Sequence, residues 1–278
     1  MARQRYSFDE ARIARFHKEG RGQGQGADYK PWLTVRDVPS HGRSHRPLGL
    51  TTGRVHHLLS DIEFRSFLLF DWAEDVADIR EQFPLDRDAT QRIADGMGVN
   101  HPCDVSTRTP LVMTTDFVID VERNGRRFLM AWAIKPADEL DKPRIIEKLE
   151  IERRYWQEQG AEWAVITEHE IPRVMADNIA WVHSYGAVDN LAQPYSGYFV
   201  EKAALLLREV SAYRRQALSQ FAADMDLRLS METGTALMLV RHLMATRALS
   251  YPMDQPLDPS SPMALFAVPG LGQELAVG

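Results

Sequence analysis

The sequence predicts an α/β domain followed by a smaller, all-helical one. Three observations lead there. Helix-like and strand-like segments alternate up to about residue 170. Two strand-like runs within that stretch flank Asn124-Gly125, a two-residue hairpin signal. From Ile171 onward the periodicity is mainly helical. A chain of 278 residues has room for both domains. The expected divisions are a basic N-terminal arm at 1–60, an α/β core at 61–170, a helical domain at 171–255 and a flexible tail at 256–278.

The elements follow in order. Residues 7–19 read as a helix, with Ser7 as cap, Glu10 three residues later, and Ile13 and Phe16 as an apolar edge. The glycine run Gly20–Gly26 follows a helix and opens none, so it is a poor phosphate-binding loop; it reads as a mobile connector suited to lying along a phosphate backbone. Ser60 starts a second helix whose Phe64, Phe67, Leu68 and Phe70 form a wide apolar surface. Val76–Phe83 is a strand, and 86–100 a short polar helix with a glycine stop. Val112–Glu122 and Arg127–Ile134 form the hairpin; with Asn124-Gly125 as the turn, Arg123 pairs with Arg126. Asp116 then faces Ala133 and lies diagonal to Lys135 on one side of the sheet. Pro143 opens a helix through Gln159, stopped by Gly160, and Ala161–Thr167 reads as a central strand. Helices are expected at Asp177–Tyr185, Val200–Tyr213, Arg215–Leu227 and Ser230–Thr246. The last two are a candidate helix-turn-helix pair, with 248–256 as a short wing, or equally a partner-docking surface.

Composition narrows the class. The longest apolar run is the seven residues Phe128–Ile134, far short of the ~20 a membrane helix needs. The N-terminus has no apolar signal core, and the one cysteine, Cys103, excludes an internal disulfide and multi-cysteine metal sites. A cytoplasmic protein is expected. The net charge of −6 conceals an asymmetry: residues 1–60 carry eleven Lys/Arg against five acids, so the remainder is strongly acidic. A basic arm on an acidic body is suited to gripping phosphates, with Arg21, Lys30, Arg43, Arg46 and Arg54 as the expected contacts.

Glu63, Asp116 and Lys135 are the candidate chemical residues: a helix acid, a strand acid and a lysine on the neighbouring strand. Such a set can surround one Mg²⁺, which takes hard oxygen ligands, and one water that the ammonium orients. Each has a plainer reading. Glu63 completes a capping box with Ser60, Asp116 suits a strand edge, and Lys135 suits a solvated strand end. Glu152, the one acid on the stripe Ile145, Leu149, Trp156, is either an inward-facing, supporting member of the site or an arginine's partner.

The blocks GRGQGQGADYKPWLTVRDVPSHGRSHR, TTGRVHHLLSDIE, DIREQFPL, MTTDF and KLEIERRYWQ resemble the TnsA endonuclease subunit of heteromeric, Tn-seven-type transposons, over roughly residues 7–170. The resemblance implies a restriction-endonuclease-like mixed sheet flanked by helices, then a winged-helix-like domain. It implies cleavage of the 5′ ends (the non-transferred strands) of transposon DNA, with Mg²⁺ as cofactor and Mn²⁺ as its substitute. The implied partners are a DDE-type transposase, TnsB, and an AAA+ ATPase, TnsC. The family's helix glutamate, strand aspartate and lysine fall on Glu63, Asp116 and Lys135. Nucleases of this fold usually carry a polar, metal-holding residue two positions before the lysine. Here that position is Ala133, whose main-chain carbonyl is the remaining donor. A non-cleaving adaptor of the same fold is therefore the alternative.

Overall fold

A computed structural model describes residues 7–38, 43–188 and 190–269. The chain divides into two compact units, residues 1–171 and 172–278.

The first unit is built on a four-stranded sheet in the order β1-β2-β3-β4. The strands are β1 (Val76–Pro84), β2 (Thr114–Arg123), β3 (Arg126–Ile134) and β4 (Glu162–Ile166). β1, β2 and β3 are antiparallel neighbours, and β4 joins β3 in parallel. The hairpin register is the expected one, Arg123 opposite Arg126, because Asn124 and Gly125 both take the positive φ that a tight turn requires. β4, expected to be central, is an edge strand: among the described residues nothing pairs with its outer side, and its side chains are only half buried.

Helices cover both faces. α1 (Glu10–Lys18) is capped by Asp9, which accepts from Arg12 N at 2.7 Å, rather than by Ser7. α2 (Asp61–Trp72) is capped by Ser60 as expected. α3 (Arg87–Met97) ends on left-handed Gly98. α4 (Pro143–Glu158) starts with Pro143 in its first turn. Phe70 of α2 meets Phe117 and Trp132 on one sheet face. Tyr155 and Trp156 of α4 pack with Val118, Ala131 and α3's Ile93 on the other.

The described residues before 60 are not a detached arm. Phe16 and Trp32 are buried edge to face, and Tyr29 stacks on Phe83 of β1 while its hydroxyl donates to Glu81 O. The glycine run is a closed loop, with Gly22 N donating to Lys30 O at 2.6 Å and Lys30 N to Gln23 O at 3.0 Å. A Cβ on Gly22 would sit 2.1 Å from Pro84 Cγ, so close packing against the end of β1 is why glycine stands there. The expected mobile connector is thus a fixed part of the domain.

The second unit is helical among its described residues: α5 (Arg173–His183), α6 (Tyr198–Glu209), α7 (Leu218–Arg228) and α8 (Thr235–Ala245). Ile179, Leu206, Phe221 and Leu239 are fully buried. Asp226 of α7 accepts from Gly234 N and Ala236 N, both at 2.7 Å, and so caps α8. The expected wing at 248–256 does not form; Ser250 pairs instead with Ala267 in a single bridge, and Asn178 holds the chain through Met253 O and Leu257 N. The expected flexible tail folds onto this same unit up to residue 269. Its Met263 and Phe266 are buried and Met263 N donates to Gln216 O. The rest of the expected tail, 270–278, lies outside the described residues.

Candidate active site

The site forms where β2 and β3 part. Their ladder ends at Phe117 opposite Trp132. One residue further, the Asp116 side chain replaces the main chain: its Oδ2 accepts from Ile134 N at 2.7 Å and from Lys135 Nζ at 2.6 Å. The Lys135 ammonium also donates to Ile134 O at 2.9 Å. Strand splaying therefore brings the aspartate and the lysine together.

Glu63 arrives from the first turn of α2, where its capping duty fixes it. Ser60 Oγ accepts from Glu63 N and donates to Oε1, each at 3.1 Å, and Leu59 N donates to Oε2 at 2.9 Å. The carboxyl is buried, and burial first, then the Asp116 charge, pushes its pKa up to about 7. The capping reading of Glu63 holds, both carboxylate oxygens serving the cap, while Asp116 and Lys135 also act on it electrostatically.

Glu152 is not an arginine's partner. From α4 it accepts at Oε1 from Thr115 Oγ1 (2.8 Å) and Trp163 Nε1 (3.1 Å), and Trp156 Nε1 in turn donates to Thr115 Oγ1 (2.7 Å). Burial, then the Asp116 charge, pushes Glu152 to about 7 as well. Burial alone would lower the Lys135 pKa, but Asp116 and Glu152 outweigh it and the ammonium is held above its usual range. Asp116, Lys135, Glu152 and Lys148 line one cavity of about 250 Å³.

Those carboxylates fit a hard divalent cation. Burial first, then the Asp116 charge, raises both Glu63 and Glu152, so the two glutamates and the aspartate share one electrostatic environment with Lys135. Among the described residues no three His, Cys, Asp or Glu side chains come together as a group able to hold a metal ion by themselves. Mg²⁺ takes one or two carboxylates and fills its shell with water and substrate oxygens, so Glu63 and Asp116 are the residues that could hold it. Ala133 is fully buried and pairs with Val165 in the parallel ladder; only its carbonyl is chemically able to ligate.

Two expected phosphate contacts are corrected. Arg54 is buried, donating to Glu81 Oε1 at 2.9 Å and to Ile79 O at 2.8 Å. Arg21 donates to Asp37 Oδ2 at 2.7 Å and Trp32 O at 3.0 Å. Both are neutralised inside the fold, whereas Lys30, Arg43 and Arg46 are exposed. Sequence reasoning missed Lys148, Thr115 and Gln82. Lys148 had a signal in its i, i+4 spacing to Glu152. Thr115 and Gln82 had none beyond lying in the MTTDF and DIREQFPL blocks.

Glu152→Gln is expected to stabilise the protein at pH 8 by roughly 1–3 kcal/mol and to change little at pH 5. A folded carboxyl pKa of about 7 against an unfolded value near 4.5 means the native state binds more protons between those limits. Stability therefore falls as pH rises through that window, and the amide removes the fall. Urea midpoints of both proteins at the two pH values check it; a pH-independent difference would sink it.

Residues 73–168 match the family described as "TnsA-like endonuclease N terminal", and residues 170–253 match "TnsA endonuclease C terminal". The chain is 50% identical over 184 residues to the Escherichia coli protein "Transposon Tn7 transposition protein TnsA". That match covers 66% of this chain and 66% of the relative, just under two thirds of its length. With both family segments present in order and half of the aligned residues identical, the chain belongs to the TnsA endonuclease family.

Proposed function

We propose that this protein is the Mg²⁺-dependent endonuclease subunit of a heteromeric transposase, hydrolysing the non-transferred strand at the 5′ ends of its transposon. The single observation that carries the reading is the Asp116–Lys135 contact beside the raised Glu63 carboxyl. Glu63 and Asp116 would hold the cation, which when bound would supply Lewis acidity toward the scissile phosphate and its attacking water. Lys135 stays charged because it is paired, and its ammonium faces the developing negative charge of the phosphate. Glu152 keeps Thr115 and the base of the cavity fixed and is placed to hold a proton near neutral pH. Lys30, Arg43 and Arg46 offer sequence-independent phosphate contacts, so end selection falls to partners: a DDE-type TnsB transposase, with a TnsC AAA+ ATPase as regulator. No helix among the described residues is long and apolar enough to cross a membrane.

Ala133 favours one second reading, the adaptor that links the same partners without cutting. Incubating a supercoiled donor carrying the transposon ends with the partners and Mg²⁺ separates the two. A 5′-end nick that disappears with chelator and returns with Mg²⁺ or Mn²⁺ supports the enzyme. No nick, with one appearing in Ala133→Gln, establishes the adaptor. Cutting without any partner would instead indicate a free-standing nuclease.

A further inference from the structure

Gln82 stands in the middle of β1 with φ +49°, a left-handed conformation that side chains other than glycine's rarely adopt. The ladder pairs Glu81 with Phe117 and Phe83 with Thr115, which puts Gln82 across from Asp116. Alternation along a strand should leave residues two apart on the same face. Here it does not. Glu81 and Phe117 face α2, through His56 against Phe67 and through Phe70. Phe83 and Thr115 face α4, both meeting Trp156. Both strands therefore turn over at one row, the row that holds Gln82 and Asp116. The Gln82 carbonyl leaves the sheet to accept from Trp32 N at 3.1 Å, which anchors the turnover. Its amide completes a short chain: Thr114 Oγ1 donates to Gln82 Oε1 at 3.3 Å, and Gln82 Nε2 makes a long hydrogen bond to Asp116 Oδ1 at 3.5 Å. Oδ1 is the oxygen that neither Lys135 nor Ile134 holds.

We propose that Gln82 is a positioning residue for Asp116: its left-handed backbone turns the strand pair over at the site, and its amide steers Oδ1 toward the cation. This rests on the nuclease reading above. Strain kept at a site residue is expected where the surrounding structure uses it, and Gln82 is 2% exposed, tied to β2 through Thr114 and Asp116 and to the segment before 60 through Trp32. It acts through the carboxylate and has no contact with DNA in this role.

Mn²⁺ titration of the full chain by electron paramagnetic resonance tests it, with Asp116→Ala as the site control and 5′-end nicking alongside. Gln82→Gly keeps left-handed backbone accessible and deletes the amide. Its Mn²⁺ affinity should drop about tenfold, the usual loss when an outer partner of a metal ligand is removed, with kcat for nicking lower and KM for DNA unchanged. Gln82→Val, whose branched side chain resists positive φ, should bind at least tenfold more weakly again. Wild-type affinity in Gln82→Gly, or equal affinity in the two variants, overturns the proposal. Should Gln82→Val not fold, Thr114→Val serves, since it frees the amide and leaves the backbone alone; unchanged affinity there likewise overturns it. If wild type and Asp116→Ala bind Mn²⁺ equally, the nuclease reading itself fails, an outcome distinct from any change confined to Gln82.

Discussion

Asp116→Asn is expected to abolish 5′-end nicking, by on the order of 10³-fold or more, while 3′-end cleavage by the partner transposase persists. The substitution changes one charge and almost no volume, so the loss is chemical. Asp116 is the hub of the site, because Lys135, Glu63 and Glu152 each interact with its charge. Removing that charge has a second, measurable consequence. Glu63 and Glu152 are both pushed up by it, so their titration midpoints should fall in the variant, and the stability lost between pH 4.5 and 7 should shrink. Nicking assays with both strand ends labelled, combined with carbon-13 titration of the glutamates, check both effects. Normal nicking by Asp116→Asn would remove this carboxylate from the mechanism; unchanged glutamate midpoints would show that the three acids do not form one electrostatic unit.

Much of this site is legible in the sequence alone. The hairpin register follows from Asn124-Gly125, since a two-residue turn leaves one pairing. That register brings Asp116 beside Lys135, and the Ser60/Glu63 spacing fixes the start of α2. What stays hidden has a common physical cause. Pattern reading assumes regular alternation, and the strand pair inverts at the Gln82–Asp116 row through one left-handed residue that has no sequence signature. Charge counting assumes that cations near a basic N-terminus are free. Arg21 and Arg54 instead meet Asp37 and Glu81, acids 16 and 27 positions away, and such long-range pairing is invisible to a local count. β4 misleads for a related reason: an apolar strand of five residues reads alike at the centre and at the edge of a sheet.

Glu81→Gln should be the most destabilising single change in the first unit, costing about 3–5 kcal/mol. The Glu81 carboxylate is fully buried and receives Arg54, His56 Nδ1 at 2.8 Å and His57 N at 3.0 Å. Burial alone would raise its pKa, but the Arg54 and His56 hydrogen bonds outweigh that and hold it down to about 2. Losing the charge leaves the Arg54 guanidinium, 9% exposed, without its counter-ion in a medium that solvates it poorly. At roughly 2–4 °C per kcal/mol for a domain of this size, Tm should fall by about 6 °C or more. The pH dependence has the opposite sign to that of Glu152. A folded pKa depressed to about 2 contributes stability that is complete above pH 4.5 and is lost as the pH falls toward 2, and Glu81→Gln should flatten that acid limb. The double variant Arg54→Met/Glu81→Leu separates a broken pair from a needed one: it should recover most of the loss, because replacing both members of a buried pair removes the stranded charge. A double variant as unstable as Glu81→Gln would mean that the charges themselves hold the residues before 60 to β1. An Arg54→Met chain with a reduced salt slope of DNA binding would return Arg54 to the phosphate contacts from which its burial excludes it.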